Sequence, residues 1–157
     1  FENNKLYTFL DFFSNEFFDF GKSQWILIAD FNGTSWSILP DTTLPPVEIP
    51  IPDIGNVKLT ATISINGSKG SQSNITVKGK SVVSQEILNT VKMIMKFEIP
   101  GVPIPLTTTT NVVMHLYFVE NIGLVRLHVD PTSINLTIIQ QWIDGSHSEI
   151  VDYYIAQ

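Results

Sequence analysis

The sequence predicts a mainly β protein, with one N-terminal helix followed by a curved antiparallel meander that forms a half-barrel of about eight strands. From residue 24 onward, apolar and polar residues alternate with a period of two, as they do in half-buried strands. Turn-forming residues separate these segments at short intervals, which is typical of sequential hairpins. Several of the segments reach about ten residues, longer than most strands, and this length favours a curved sheet over a small sandwich.

The composition limits the class of protein. A chain of 157 residues suits one domain, covering residues 1–157. Hydrophobic residues make up 43% and charged residues 15%, which argues against disorder. The net charge is −6 and no basic cluster occurs, so nucleic-acid binding is not expected. The absence of cysteine excludes disulfides, zinc–thiolate sites and thiol nucleophiles.

The helix candidate is the segment 1–21. Six apolar residues in it recur at steps of three and four, and Gly21 is a suitable helix stop. These residues are Leu6, Phe9, Leu10, Phe13, Phe17 and Phe20. The competing interpretation is a strand, because Phe-rich segments favour β structure. A helix this apolar needs cover, so we expect it to pack on the sheet.

The antiparallel meander is expected to span residues 22–157. Its clearest strand is 57–65, where five apolar residues alternate with four polar ones without exception. The pair Asn32-Gly33 predicts a two-residue hairpin turn, since both central positions of such a turn require a positive φ. Residues 66–73 are rich in Gly and Ser and are predicted to form the next turn.

Two further connections are predicted along the chain. The Pro-rich segment 40–55 is expected to be a long loop. Its prolines cannot donate ladder hydrogen bonds, which leaves an edge strand or a polyproline-like segment as the possible structures. Near the end of the chain, Asp144-Gly145 predicts a final hairpin.

The histidines supply the one candidate polar site. If Glu120-Asn121 forms the turn centre, His115 pairs with Arg126 and His128 lies on the same face. These three residues are a candidate anion-binding patch, and the alternative is a polar, solvated face. Two imidazoles beside a guanidinium repel a cation, so no metal site is expected.

No catalytic site and no cofactor are expected. The sequence contains neither the G-x-S-x-G pattern of serine hydrolases nor the G-x-x-x-x-G-K-[ST] pattern of phosphate-binding loops. The segment Ser146-His147-Ser148 is a turn composition, because neighbouring residues in a strand point to opposite faces and cannot form a triad.

A hydrophobic ligand site is predicted from apolar residues on both faces of the strands. If both faces are partly covered, a half-barrel with a helix across its concave side leaves room for an apolar ligand. The candidate lining residues are Phe17, Met93, Ile94, Met95, Val113 and Tyr117. Met93 and Met95 face away from Ile94, so these residues cannot all line one cavity.

The stretch 112–129 carries a resemblance to a known group. In it, a strand ending in an aromatic residue and a short turn precede the restart Gly123-Leu-Val-Arg126, and Gln24-Trp25, Trp36-Ser-Ile-Leu39 and Tyr153-Tyr154 flank it. The chain resembles secreted proteins and lipoproteins of the Bacteroidetes type, and it is similar to the LolA/LolB and LppX group of lipid carriers. The resemblance implies a curved half-barrel, an envelope or secreted location and a hydrophobic cavity, without catalytic residues.

The leading prediction is a non-enzymatic exported domain that binds a lipid-like or other hydrophobic ligand in the concave side of a half-barrel. The alternative is a structural or protein-interaction module of the cell envelope, with a filled core and no small ligand. Export would place it in the periplasm, at the outer membrane as a lipoprotein, or outside the cell. The chain begins at Phe1 without an initiator methionine, so we expect a removed signal. No transmembrane segment is expected.

Overall fold

The computed structural model describes residues 3–10, 24–135 and 140–149, and their regular structure is β throughout. The prediction of a mainly β, antiparallel protein is confirmed. The strands of the described residues are β1 (Lys5–Leu10), β2 (Gln24–Asp30), β3 (Ser35–Thr43), β4 (Val47–Ile51), β5 (Gly55–Val77), β6 (Lys80–Glu98), β7 (Leu106–Val119), β8 (Gly123–Val129), β9 (Thr132–Asn135), β10 (Gln140–Ile143) and β11 (Ser146–Glu149).

Seven strands form the main sheet. Their order is β11-β8-β7-β6-β5-β3, and β4 pairs with a second part of the β5 edge. Strands β5 to β8 are sequential antiparallel neighbours, which confirms the predicted meander. Two smaller sheets, β1-β2 and β9-β10, complete the described part of the chain, in which the main sheet does not close into a barrel. No helix of the described residues is long and apolar enough to cross a membrane.

Strands β5 and β6 form an unusually long hairpin. Their register runs from Val77 opposite Lys80 to Lys58 opposite Glu98. The two residues between the strands, Lys78 and Gly79, have φ values of 51° and 71°, as a tight two-residue turn requires. The turn predicted at 66–73 is therefore wrong, because that segment continues β5.

A packing contact explains one glycine of that misread segment. Gly67 pairs with Trp36 of β3 on one side and with Asn89 of β6 on the other. A Cβ added at Gly67 would overlap Cε2 and Nε1 of the Trp36 indole. Gly67 is therefore needed to make room for an aromatic ring, and it does not mark a chain reversal.

The covered face of the main sheet, defined by Ile87, Leu116 and Phe118, carries most of the core. The β1-β2 hairpin lies over it, and Ala29 of β2 joins these three buried residues in one cluster. Further along the same face, towards the end of β6, a second buried cluster contains Leu44, Ala61 and Met95. Burial of the cluster around Ile87 against the two-stranded cover contributes apolar stabilisation to the fold.

The opposite side is the histidine face, defined by His115, His128 and His147. It carries its own apolar cluster near the β5–β6 turn, formed by Ile75, Val77, Val119 and Val125. A register shift between Lys69 and Gln72 makes this possible, because it moves the odd-numbered residues of β5 from one face to the other.

The predicted N-terminal helix is wrong within the described residues. Residues 5–10 form β1, which pairs along its length with β2, and Leu6 packs against the covered face. The competing strand interpretation is the one observed here. Pairing with β2 satisfies the backbone hydrogen-bonding groups of this segment, whose residues favour β structure. Phe13, Phe17 and Phe20 lie outside the described residues.

The Asn32-Gly33 hairpin is also wrong. Strands β2 and β3 belong to different sheets, and neither Asn32 nor Gly33 has a positive φ. Instead, Asp30 Oδ1 accepts hydrogen bonds from the backbone N–H groups of Asn32 and Gly33, both at 3.0 Å. This side-chain-supported turn leads the chain from the two-stranded cover into the main sheet.

The Pro-rich segment 40–55 contains the end of β3 and all of β4. Strand β4 pairs with β5 alone among the described strands, and Pro50 lies within it. The edge-strand alternative fits this segment, since proline is tolerated where one side of the strand needs no ladder partner. The final hairpin at Asp144-Gly145 is wrong in the described residues, because β10 pairs with β9 and β11 pairs with β8.

Candidate functional site

The three histidines form one row across three neighbouring strands. His147 of β11 pairs with His128 of β8, which in turn pairs with His115 of β7. The ring centroids of His115 and His128 are 5.7 Å apart, and those of His128 and His147 are also 5.7 Å apart. Cross-strand pairing thus collects side chains that lie far apart in the sequence.

A second polar row lies beside the histidine row on the same face. In it, Glu149 pairs with Arg126, Arg126 with Tyr117, and Tyr117 with Glu86. The guanidinium carbon of Arg126 lies 5.5 Å from the centroid of the Tyr117 ring, a cation–π distance. The two rows together define the histidine cluster.

The predicted pairing of His115 with Arg126 is wrong, although both residues do lie on one face with His128. The structure pairs His115 with His128, and Arg126 with Tyr117. The loop leaves Val119 opposite Gly123, and a further register irregularity follows at Tyr117. A bulge adds one residue to one strand, and the sequence did not reveal it.

Carboxylates, which the sequence analysis did not place at this site, contact all three histidines and Arg126. Glu86 Oε1 lies 2.8 Å from His115 Nδ1, and the Tyr117 hydroxyl donates to the same oxygen at 3.1 Å. Asp130 bridges two histidines, with its oxygens 3.3 Å from His115 Nε2 and 3.2 Å from His128 Nε2. Each imidazole so engaged is oriented by its carboxylate.

The end of the cluster at β11 follows the same rule. Glu149 pairs with Arg126, and its Oε1 lies 3.1 Å from His147 Nε2. Glu86, Asp130 and Glu149 supply three carboxylates against the one guanidinium of Arg126, so the cluster is net negative even when His115 is protonated. This excess of negative charge disfavours an anion-binding patch and favours the alternative of a polar face. The described residues contain no group of three or more His, Cys, Asp and Glu side chains arranged to hold a metal ion.

The buried end of the cluster has shifted ionisation. Desolvation raises the pKa of Glu86, but hydrogen bonds from His115, Tyr117 and the backbone of Ser71 outweigh it, so the pKa lies below its usual value. The hydrogen bond with Glu86 raises the pKa of His115 against the opposing effect of desolvation, and Asp130 raises it further. Both shifts favour the charged pair.

Folding stability is therefore expected to fall on both sides of a mildly acidic optimum. The Glu86 contribution is complete above the ordinary pKa of 4.5 and is lost as the pH falls through its lowered value. The His115 contribution is complete below the ordinary pKa of 6.5 and is lost as the pH rises through its raised value. Both are complete between these two ordinary values, and urea midpoints measured across the pH range check this.

The variant His115→Gln should lose about 1 kcal/mol at the optimum and flatten the alkaline decline in stability. The matched control is His147→Gln, which alters a half-exposed imidazole of the same row. Retention of the wild-type alkaline decline by His115→Gln would contradict the assignment.

A pocket of about 650 Å³ lies beside the β7–β8 turn. Its apolar lining residues are Phe31 and Phe118, which pack on the covered face, and Val119 and Ile122, whose side chains also pack in the apolar cluster of the histidine face. Phe31 and Phe118 meet edge to face, with centroids 5.3 Å apart and planes at 87°. The volume falls within the range of about 300–1,000 Å³ that is typical of small-molecule sites.

The pocket also has polar lining residues, which are Asn4, Gln85, Glu120 and Asn121. The Gln85 amide nitrogen already donates to the carbonyls of Gly70 and Glu86, both at 2.9 Å, and so secures the irregular part of β5. The lining of the pocket thus combines aromatic and aliphatic residues with polar ones.

The predicted ligand residues do not assemble in this pocket. Met93 and Met95 belong to the covered face, where they pack in the cluster around Leu44. Ile94, Val113 and Tyr117 lie on the histidine face by register. Phe17 lies outside the described residues.

The pocket residues escaped sequence analysis for a definable reason. Phe31 follows β2 and Ile122 lies in a turn, so neither belongs to a strand whose alternation would indicate a buried face. The one usable signal was the turn at Asn121, where φ is 61° and the turn residues line the pocket.

Comparisons with known proteins add no relative: no family model matches the chain, and neither curated proteins nor solved structures give a significant match.

Proposed function

We propose that this domain binds a lipid-like or other hydrophobic ligand in the pocket beside the β7–β8 turn. The observation that carries the proposal is an open pocket of about 650 Å³ with Phe31, Phe118, Val119 and Ile122 along its wall. Burial of apolar ligand surface there would contribute about 25 cal/mol per Å². The amide and carboxylate side chains among the lining residues suit a ligand with an apolar body and a polar end.

The proposal includes an architecture and a location. The covered face is taken as the concave side of a half-barrel, with the β1-β2 hairpin as its cover. The domain acts without catalysis, as an exported protein of the periplasm, the outer membrane or the extracellular space. The resemblance of the stretch 112–129 to secreted proteins and lipoproteins of the Bacteroidetes type supports this location.

The experiment that tests the proposal uses a fluorescent fatty acid as the probe. The variant Ile122→Asp places a carboxylate among the apolar lining residues. Ile122 also packs against the buried cluster that contains Val119, so the urea midpoint of the variant is measured alongside to show that it is folded. We expect at least a tenfold loss of probe affinity, since an uncompensated charge in an apolar site costs more than about 1.4 kcal/mol. Titration followed by fluorescence measures it.

The matched control is Ile104→Asp, the same change at a residue that is 74% exposed and outside the pocket. It should bind the probe as the wild type does. Wild-type protein that fails to bind the probe, or equal binding by Ile122→Asp, would exclude this pocket as the ligand site.

A second candidate function is supported by an exposed aliphatic cluster. We call it the aliphatic tip and define it as Ile51, Ile54, Val102 and Ile104, all exposed. Solvent-exposed aliphatic clusters of this kind mark contact sites for other molecules. It favours a structural or protein-interaction module of the envelope, for which the tip would be the contact surface and the pocket would hold no small ligand.

A further inference from the structure

The dipeptide Asn-Gly occurs twice in the chain, as Asn32-Gly33 and as Asn66-Gly67. Asparagine deamidates most readily before glycine, because glycine has no side chain to hinder attack by its backbone nitrogen on the asparagine carboxamide. The two dipeptides lie in very different surroundings, and these surroundings decide which asparagine reacts.

Asn66-Gly67 is held in the interior of the main sheet. Asn66 pairs with Ser37 of β3 on one side and with Thr90 of β6 on the other. Deamidation requires the backbone of the asparagine to rotate until the nitrogen of the next residue reaches the carboxamide carbon. A residue paired on both sides cannot rotate in this way without opening two ladders, so the sheet protects Asn66.

Asn32-Gly33 lies outside the strands, in the turn that joins β2 to β3. Asn32 is exposed, and both hydrogen bonds of its side chain are long. Its Oδ1 accepts from Asn4 Nδ2 at 3.3 Å, and its Nδ2 donates to the Asn3 carbonyl at 3.4 Å. These bonds are weaker than bonds at the usual N···O distance of about 2.9–3.0 Å, so the carboxamide is held only loosely.

One contact opposes the reaction at Asn32. Asp30 Oδ1 accepts a hydrogen bond from the backbone N–H of Gly33 at 3.0 Å. The nitrogen of this N–H is the attacking atom, and it must lose its proton before it attacks. A carboxylate that accepts this hydrogen bond stabilises the protonated nitrogen, so Asp30 slows the reaction without preventing it.

We propose that Asn32 is a site of spontaneous deamidation, and that the Asp30 carboxylate restrains its rate. The nitrogen of Gly33 gives its proton to a base in the solvent and attacks Cγ of Asn32. The new N–C bond closes a succinimide ring, and the side-chain nitrogen of Asn32 leaves as ammonia. Water then opens the succinimide at either carbonyl and leaves aspartate or isoaspartate at position 32.

The modification changes the contact between the start of the chain and the β2–β3 turn. An acid at position 32 adds a negative charge beside Asp30 and has no N–H to donate to the Asn3 carbonyl. Isoaspartate also lengthens the main chain by one methylene group. The β1-β2 hairpin is therefore loosened next to Asn4 and Phe31, which line the pocket. The reaction needs no ligand, so it is independent of the proposed function.

Peptide mapping by mass spectrometry, during incubation of the folded protein at mildly alkaline pH, tests which asparagine reacts. Asn32 should convert at least about tenfold faster than Asn66, since Asn66 reacts only when two ladders open. In concentrated guanidinium chloride the two asparagines should convert at similar rates, because the structure that distinguishes them is then lost.

The role of Asp30 is tested by changing the acceptor of the Gly33 hydrogen bond. Asp30→Ala should raise the rate at Asn32 about tenfold, the factor expected for loss of a hydrogen bond to a charged acceptor. Asp30→Asn keeps an acceptor without the charge and should give a smaller increase. Lys5→Ala is the matched control, because it removes the 3.6 Å ion pair with Asp30 and leaves the bond to Gly33 in place.

The effect on the cover is measured on the incubated protein. Amide hydrogen exchange in β1 should become faster as Asn32 converts. It should stay unchanged in Asn32→Gln incubated in parallel, because glutamine keeps the amide but cannot close a five-membered ring. Unchanged exchange in fully converted wild type would overturn the loosening of the hairpin.

Three results would overturn the deamidation site or its restraint. They are an Asn66 that reacts as fast as Asn32 in the folded wild type, an Asn32 that stays intact there while the denatured sample converts, and a folded Asp30→Ala that reacts no faster than the wild type. Unfolding of a variant is recognised because it accelerates Asn66 as well. If Asp30→Ala unfolds, Asp30→Asn decides the role of the carboxylate.

Discussion

Replacing Ile87 by alanine is expected to destabilise the domain by about 2–5 kcal/mol. Ile87 is completely buried at the centre of the covered face, in one cluster with Ala29, Leu116 and Phe118. Its side chain lies between the main sheet and the β1-β2 hairpin, and two hydrogen-bonded layers cannot easily collapse into the space left by the substitution. A lower urea midpoint at an unchanged m-value measures the loss.

The control is Ile94→Ala on the same strand. Ile94 is only half-buried and lies on the histidine face, so the same chemical change should cost markedly less. Equal losses in the two variants would show that the β1-β2 hairpin does not cover the face that carries Ile87.

The variant Gly67→Ala is expected to lose about 1–3 kcal/mol, although it adds one methyl group. The new Cβ would occupy the space of the Trp36 indole, which is held in place by its packing on the cluster around Ile87. Gly67 does not have a positive φ, so its backbone would accept alanine and the steric overlap is the cause of the loss. The urea midpoint measures this cost as well.

A double-mutant cycle with Trp36→Leu isolates that overlap. In the Trp36→Leu background the indole is absent, so Gly67→Ala should cost at least about 1 kcal/mol less than it does in the wild type. Additive losses would mean that the indole is not what requires a glycine at position 67.

Alternation along single strands was enough to predict an antiparallel meander. The segment 57–65 lies in β5 as expected, because one face of the sheet is buried and period-two patterning reports that burial directly. The edge position of β4 could also be anticipated, since Pro50 cannot serve two ladder partners.

The predictions that failed depended on partners distant in the sequence. The glycines of residues 66–73 predicted a turn, but Gly67 is required because the indole of Trp36, on another strand, occupies the space of a Cβ. The Phe-rich start of the chain satisfies helical spacing simply because it is rich in apolar residues. Residues 5–10 form a strand because they pair with β2, and no local sequence pattern reveals that pairing.

The candidate sites were predictable only in part. Face membership followed from alternation, so His115, His128 and Arg126 were correctly placed together. Their pairing depended on a bulge, and the carboxylate of Glu86 comes from a neighbouring strand, 29 positions away from His115. The pocket lies where strands end, and the alternation of apolar and polar residues does not predict buried positions there.

The indole above Gly67 also bears on how the edge strand finds its correct partner during folding. A slip of β3 by two residues along β5 would preserve the alternation of apolar and polar side chains, so hydrophobic patterning does not discriminate against it. Such a slip would place Trp36 opposite Ile65 or Lys69 instead of Gly67. Ile65 and Lys69 both have side chains where the indole ring must lie. The resulting steric overlap disfavours a misaligned register that hydrophobic burial alone would allow.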